Sequence, residues 1–147
     1  MKPATEQCAA GTLRRAARSI ARVYDRRLAS AGLTTTQFSI LSALQRHGTP
    51  VPLSDLAEEL VFERTSLYRA LEPMCRDGLV ALSPGRGRAK QAALTPGGIR
   101  RIARATPHWA KAQETFLSHF GRSEWSRLAA QLVDIVGIAR AMPMEEQ

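Results

Sequence analysis

The stretch LSDLAEELVFERTSLYRALEPMCRDG, Leu53 to Gly78, decides the fold. In Leu53–Leu60, Leu56, Ala57 and Leu60 share one helical face at three- and four-residue spacing. Val61-Phe62-Glu63 then makes a tight turn. From Arg64 to about Asp77, Leu67, Leu71 and Met74 repeat the apolar spacing, and Gly78 closes the segment. Pro73 removes the hydrogen bond to the Arg69 carbonyl and is expected to kink the last turn. Two short helices across such a turn make a helix-turn-helix. The second helix is narrow enough to enter a DNA major groove. Its positions between the core leucines carry donors: Arg64, Thr65, Ser66, Tyr68 and Arg69.

A basic hairpin follows. Leu79–Leu82 is extended and apolar, Ser83–Arg88 is turn chemistry with two glycines and a proline, and Lys90–Leu94 returns as a second strand despite its alanines. Arg86, Arg88 and Lys90 suit an arm that reaches a minor groove or backbone phosphates.

Upstream, a helix is expected from Thr12 to about Ser30, with Leu13, Ala17, Ile20, Tyr24 and Leu28 on its apolar face and Gly32 at its end. Arg14, Arg18, Arg22 and Arg26 form a stripe that is either a solvated face or a phosphate-facing one. Thr34 and Gln37 have the spacing of a capping box, with Leu33 and Phe38 as its hydrophobic staple. Ile40, Leu41 and Leu44 continue a buried face as far as His47-Gly48, and Pro50 and Pro52 keep the next residues extended. Downstream, Thr95 caps a helix with Pro96 at its first position. Pro107 should break or bend that helix, which resumes through Trp109 and Phe116 to Phe120. Ser123 is expected to cap a final helix whose apolar face is Trp125, Leu128, Ala129, Leu132, Ile135, Val136 and Ala139.

Charge agrees with an anionic partner. The 147 residues carry 21 Lys+Arg against 13 Asp+Glu, a net charge of +8, and 18 of the basic residues are arginine. The excess lies in residues 1–50 (8 basic, 2 acidic) and 61–104 (9 basic, 3 acidic). Residues 105–147 are slightly acidic and rich in aliphatics, which suits a protein contact. Double-stranded nucleic acid is the first candidate partner. Two cysteines exclude a disulfide framework and a four-cysteine zinc site. No apolar run approaches the ~20 residues of a membrane span, and Met1–Gly11 lacks the apolar core of a secretory signal. A reducing cytoplasm is the expected location. His47, His108 and His119 are scattered without metal-ligand spacing. No phosphate-cradling glycine loop, nucleophile–base pair or paired carboxylates point to an enzyme, so no catalytic residue, metal or cofactor is assigned.

The order of elements resembles the MarR family of bacterial transcription regulators over nearly the whole chain, from about Thr12 to Ala139. The residues that carry the resemblance are Leu13 to Arg18, Tyr24-Asp25, Gly32-Leu33-Thr34 with Gln37-Phe38, Leu56-Ala57, Leu67, Asp77-Gly78-Leu79, Leu94 to Gly98, and Trp109 with Ala112-Gln113. The fold expected is mainly α with a small β-hairpin wing: a winged helix-turn-helix flanked by N- and C-terminal dimerisation helices. The winged DNA-binding domain would occupy 33–95, the helical dimerisation region 12–31 and 96–141, and flexible termini 1–11 and 142–147. The resemblance implies a homodimer with interlocked first and last helices, two winged domains on a palindromic operator, and an effector pocket between the two regions. The function expected is repression released by a small-molecule effector. Tyr24 and Trp109 offer ring surface to such a ligand, Arg18 and Arg22 offer countercharge, and an aromatic anion fits both. A winged-helix module for protein contacts is the rival, and the basic excess on the second helix and hairpin argues against it.

Two positions depart from the family. Its wing usually carries an Asp-x-Arg brace; here Arg88 matches the arginine, but Arg86 stands at the aspartate position and Gly87 between them. A more mobile, more basic wing is expected. Val61 stands where the helix-turn-helix turn often has glycine. Cys8 precedes the first helix, where organic-peroxide-sensing relatives place a reactive cysteine. Their partner tyrosines are replaced by Thr35 and Phe38, which leaves redox sensing through Cys8 the alternative to small-molecule release.

Overall fold

A computed structural model describes residues 8–143. Helix α1 spans Ala9–Leu28, starting before Thr12 because the Cys8 carbonyl accepts the Thr12 amide at 2.9 Å and Ala9 and Ala10 are strong helix formers. Residues 9–11, expected among the flexible ends, are part of this helix, while residues 1–7 and 144–147 lie outside the described residues. A 3-10 turn, Ala29–Ala31, ends at Gly32, whose φ of 69° gives the left-handed turn that glycine adopts without strain.

Helix α2, Thr35–His47, begins with the expected capping box. Gln37 donates its amide to Thr34 Oγ1 at 3.2 Å, and Gln37 Oε1 accepts from the Thr34 amide at 3.0 Å. A second cap comes from α1. Asp25 Oδ1 accepts from the Thr35 amide at 2.7 Å and from the Thr35 hydroxyl at 2.6 Å. A carboxylate thus sits at the positive end of α2.

The two prolines expected only to extend the chain frame a strand. Val51–Pro52 (β1) pairs antiparallel with Lys90–Leu94 (β3), which also pairs with Val80–Pro84 (β2), giving the order β1-β3-β2. Pro52 cannot donate to a ladder, and an edge strand is where that is tolerated. The alanines of β3 are explained by its place. The middle strand packs against α2, and Ala92 opposite Val51 is fully buried.

Helices α3 (Leu53–Leu60) and α4 (Arg64–Arg76) match the sequence reading. Leu28, Ile40, Leu41, Leu56, Leu67, Leu71, Met74 and Ile102 are the largest fully buried side chains, and no polar or charged residue is buried among the described residues. Helix α5 runs from Pro96 to Phe120 without a break at Pro107. Pro107 lies on an exposed face, so its ring meets solvent and the helix loses one hydrogen bond, not its course. Helix α6 spans Arg122–Ala141 and is capped by Gly121, not Ser123. The Gly121 carbonyl accepts from the Trp125 amide at 2.9 Å, and its φ of 103° favours glycine there.

The chain divides into two compact units inside α5, one ending at Lys111 and the other starting at Ala112. In the second, Phe116 stacks on Phe120 and meets Trp125 edge-on, both at 5.4 Å, and Glu114 pairs with Arg122 at 2.5 Å. Helix α6 buries no residue; Val133 and Ile138 are 72% and 63% exposed.

Candidate nucleic-acid interface

The helix-turn-helix is held by backbone geometry first. Val61 ends α3 at φ 56°, ψ 47°, the one non-glycine with positive φ among the described residues. The Phe62 amide then reaches the Ala57 carbonyl at 2.8 Å, and the Glu63 carbonyl accepts from the Leu67 amide at 2.9 Å, which starts α4. Beside the turn, Glu59 joins α3 to the end of α2, pairing with Arg46 and His47 at 2.7 Å each. The hydrogen bond from His47, then that from Arg46, hold the Glu59 carboxyl below the usual carboxylate range.

Helix α4 buries Leu67, Leu71 and Met74 and exposes Arg64, Thr65, Ser66, Tyr68 and Arg69, as its spacing requires. The wing tip is closed by the Gly85 amide on the Ala89 carbonyl at 2.8 Å and the Ala89 amide on the Arg86 carbonyl at 3.1 Å. Gly87 takes a φ of 62° there, and Arg86, Arg88 and Lys90 are exposed.

Between α4 and the wing lies a concavity of about 370 Å³ lined by Thr65, Tyr68, Arg69, Glu72, Cys75, Leu82 and Lys90. It joins three of the expected helix residues to the wing lysine. Arg88 and Lys90 also line a recess of about 320 Å³ in the wing itself. Arg64, Ser66 and Arg86 are exposed outside both. Among the described residues, ion pairs engage Arg46, Arg122 and Arg127 but none of Arg64, Arg69, Arg86, Arg88 and Lys90. The missing Asp-x-Arg brace has no substitute, and five cations face outward unneutralised.

Sequence reasoning missed Glu72, Cys75 and Leu82. Glu72 was detectable, being three and four residues beyond Arg69 and Tyr68 on the same helical face. Cys75 is half-buried at this concavity, and burial pushes its thiol pKa up.

Tyr24 is buried, which raises its phenol pKa. Trp109 stacks on Phe38 with ring centroids 5.8 Å apart, while Arg18 and Arg22 are exposed on α1. None of the four lines a cavity of about 210 Å³ formed by residues that include Leu44, Thr49, Leu94 and Ile99. Cys8 is exposed at the start of α1, and Cys8 and Cys75 are free thiols. Among the described residues there is no group of three or more metal-ligating side chains and no helix long and apolar enough to cross a membrane.

Known proteins share this architecture. The MarR family sequence profile matches residues 31–89, from the end of the first helical segment to the turn of the wing. The chain is 28% identical over 126 residues to the HTH-type transcriptional regulator PecS of Dickeya dadantii, covering 83% of this chain and 76% of PecS. It is 37% identical to the M. tuberculosis transcriptional regulator MosR solved in complex with DNA, with a TM-score of 0.83 over 92% of this chain and 98% of that one. The PcaV regulator of Streptomyces coelicolor, solved with its natural ligand, shares the fold at 17% identity, with a TM-score of 0.80 over 95% of this chain and 99% of that one. A helix-turn-helix with a three-stranded wing, a basic face whose cations form no ion pair among the described residues and this extent of similarity place the chain in the MarR family of DNA-binding transcription regulators.

Proposed function

We propose that two copies of the chain bind a palindromic operator in the cytoplasm, each with α4 in a major groove and its wing on the flanking backbone or minor groove, and thereby repress transcription. The observation that carries this reading is the set of exposed, unpaired cations Arg64, Arg69, Arg86, Arg88 and Lys90 on α4 and the wing, of which Arg69 and Lys90 line one concavity. Residues 12–31 and 96–141 supply the dimer contact in this reading, supported by the exposed aliphatics of α6. Arg69, with Thr65 and Ser66, reads bases, and Arg88 contacts a phosphate or the minor groove. Loss of a base contact costs about 1–3 kcal/mol and relaxes one position of the site. Loss of a phosphate contact weakens all sequences alike and lowers the salt slope by about one. Arg69→Ala should therefore act selectively and Arg88→Ala uniformly in anisotropy titrations on a mapped operator. Equal binding by wild type and both variants sinks the assignment.

The effector of this reading is a small aromatic anion, drawn by Arg18 and Arg22 to the rings of Tyr24 and Trp109. PcaV, solved with a natural ligand, supports a ligand-responsive mechanism. An oxidant is disfavoured because Thr35, at one of the lost tyrosine positions, commits its hydroxyl to Asp25, and Phe38 is stacked on Trp109. Micromolar organic peroxide should leave the operator complex intact. Release of wild type but not of Cys8→Ser would reverse this and make Cys8 the sensor.

A further inference from the structure

The concavity between α4 and the wing holds one carboxylate among its cations, that of Glu72. It is exposed, and among the described residues no ion pair or hydrogen bond engages it. Thr65, Arg69 and Glu72 stand at positions 0, 4 and 7 of one helical stripe, so they share the face that lines the concavity. A carboxylate there repels the phosphate backbone and weakens binding to DNA of every sequence. Its compensation must come from a base. An ionised carboxylate only accepts hydrogen bonds. In the major groove guanine presents two acceptors, adenine an acceptor beside its amino group, and thymine an acceptor and a methyl group, whereas cytosine presents the N4 amino donor alone. Arg69 has the opposite character and fits the O6/N7 edge of guanine. The two side chains are separated by about 4.5 Å along the helix axis, close to one base-pair step of about 3.4 Å.

Resting on the DNA-binding reading above, we infer that Glu72 is a specificity-determining residue that accepts a hydrogen bond from a cytosine N4 amino group in each half-site, next to the guanine read by Arg69. Its role is double: it selects cytosine at one position and lowers affinity for all other duplex DNA.

The test is binding-site selection from a randomised duplex pool with full-length wild type, Glu72→Gln, Glu72→Ala and Arg69→Ala, followed by salt titrations on mixed-sequence duplex. Wild type should fix one cytosine per half-site. Both Glu72 variants should lose that preference about tenfold while keeping every other position, and should bind mixed-sequence duplex several-fold more tightly. The inference is overturned if the Glu72 variants select the wild-type site unchanged. It is also overturned if they lose the same position as Arg69→Ala, which would make Glu72 a positioning residue for the arginine. A wild-type selection with no consensus would instead overturn the sequence-specific reading itself.

Discussion

Single residues set the tolerances of this fold. Val61 occupies a left-handed conformation that costs a branched L-residue about 1–2 kcal/mol. Its side chain is 62% exposed, so little packing offsets the strain. Val61→Gly removes the strain and adds about 0.5–1 kcal/mol of unfolded-chain entropy. The net gain should be about 0.5–1 kcal/mol, read as a higher midpoint in thermal melts; a lower midpoint would show that the valine packs usefully. Gly98 is the opposite case. A Cβ there would run into the Leu79 carbonyl oxygen, which is backbone and cannot swing aside. Gly98→Ala should cost about 1–3 kcal/mol or more by overpacking, measured by urea unfolding. The same junction explains Thr95. Its hydroxyl donates to the Gly78 carbonyl at 2.5 Å and accepts the Gly98 amide at 3.0 Å, so one side chain links the loop after α4 to the start of α5.

At the scale of elements, Asp25 joins α1 to α2. Asp25→Ala leaves the Thr35 amide and hydroxyl without their carboxylate, and charge-assisted bonds of this kind support a loss of about 1–3 kcal/mol. Asp25→Asn keeps an acceptor and should lose less. The Glu59 clamp makes a pH-dependent contribution. Its folded pKa is depressed, so its stabilisation is present above the unfolded carboxylate range and fades as pH falls through the folded value. The stability gap between wild type and Glu59→Gln should narrow below about pH 4.3. A gap that is flat from pH 6 to pH 3 would show that the clamp is not charge-dependent. Most elements were legible in the sequence because they obey local rules: the capping box at Thr34, the core spacing of α3 and α4, and the glycine stops. The errors arose where tertiary contact overrides local chemistry. Pro107 reads as a break or a bend, and the helix runs on through it without a break. Val51–Pro52 is too short to signal a strand and exists only because β3 lies beside it. Glu72 went unassigned because attention to a nucleic-acid face selects cations, and an anion counts only once the concavity is seen.

For the whole molecule, the apolar surface of α6 is the feature that a single chain leaves unexplained. Val133, Ile135, Val136 and Ile138 are all exposed. In the proposed dimer Ile135→Arg would bury an unpaired charge at a cost of about 3–5 kcal/mol. Sedimentation velocity should find wild type as a dimer at micromolar concentration and the variant as a monomer. A monomeric wild type would refute the dimer.

The middle position of β3 has a mechanical consequence. A strand bonded on both sides is slow to open, whereas a turn closed by two hydrogen bonds opens readily. The wing therefore has a stiff root and a compliant tip, like a fishing rod clamped at the handle. Amide hydrogen exchange should be slow at Ala92 and fast at Gly87. Because β1 shares the clamp, Val51 ties the segment that follows α2 to the strand on which the wing is rooted.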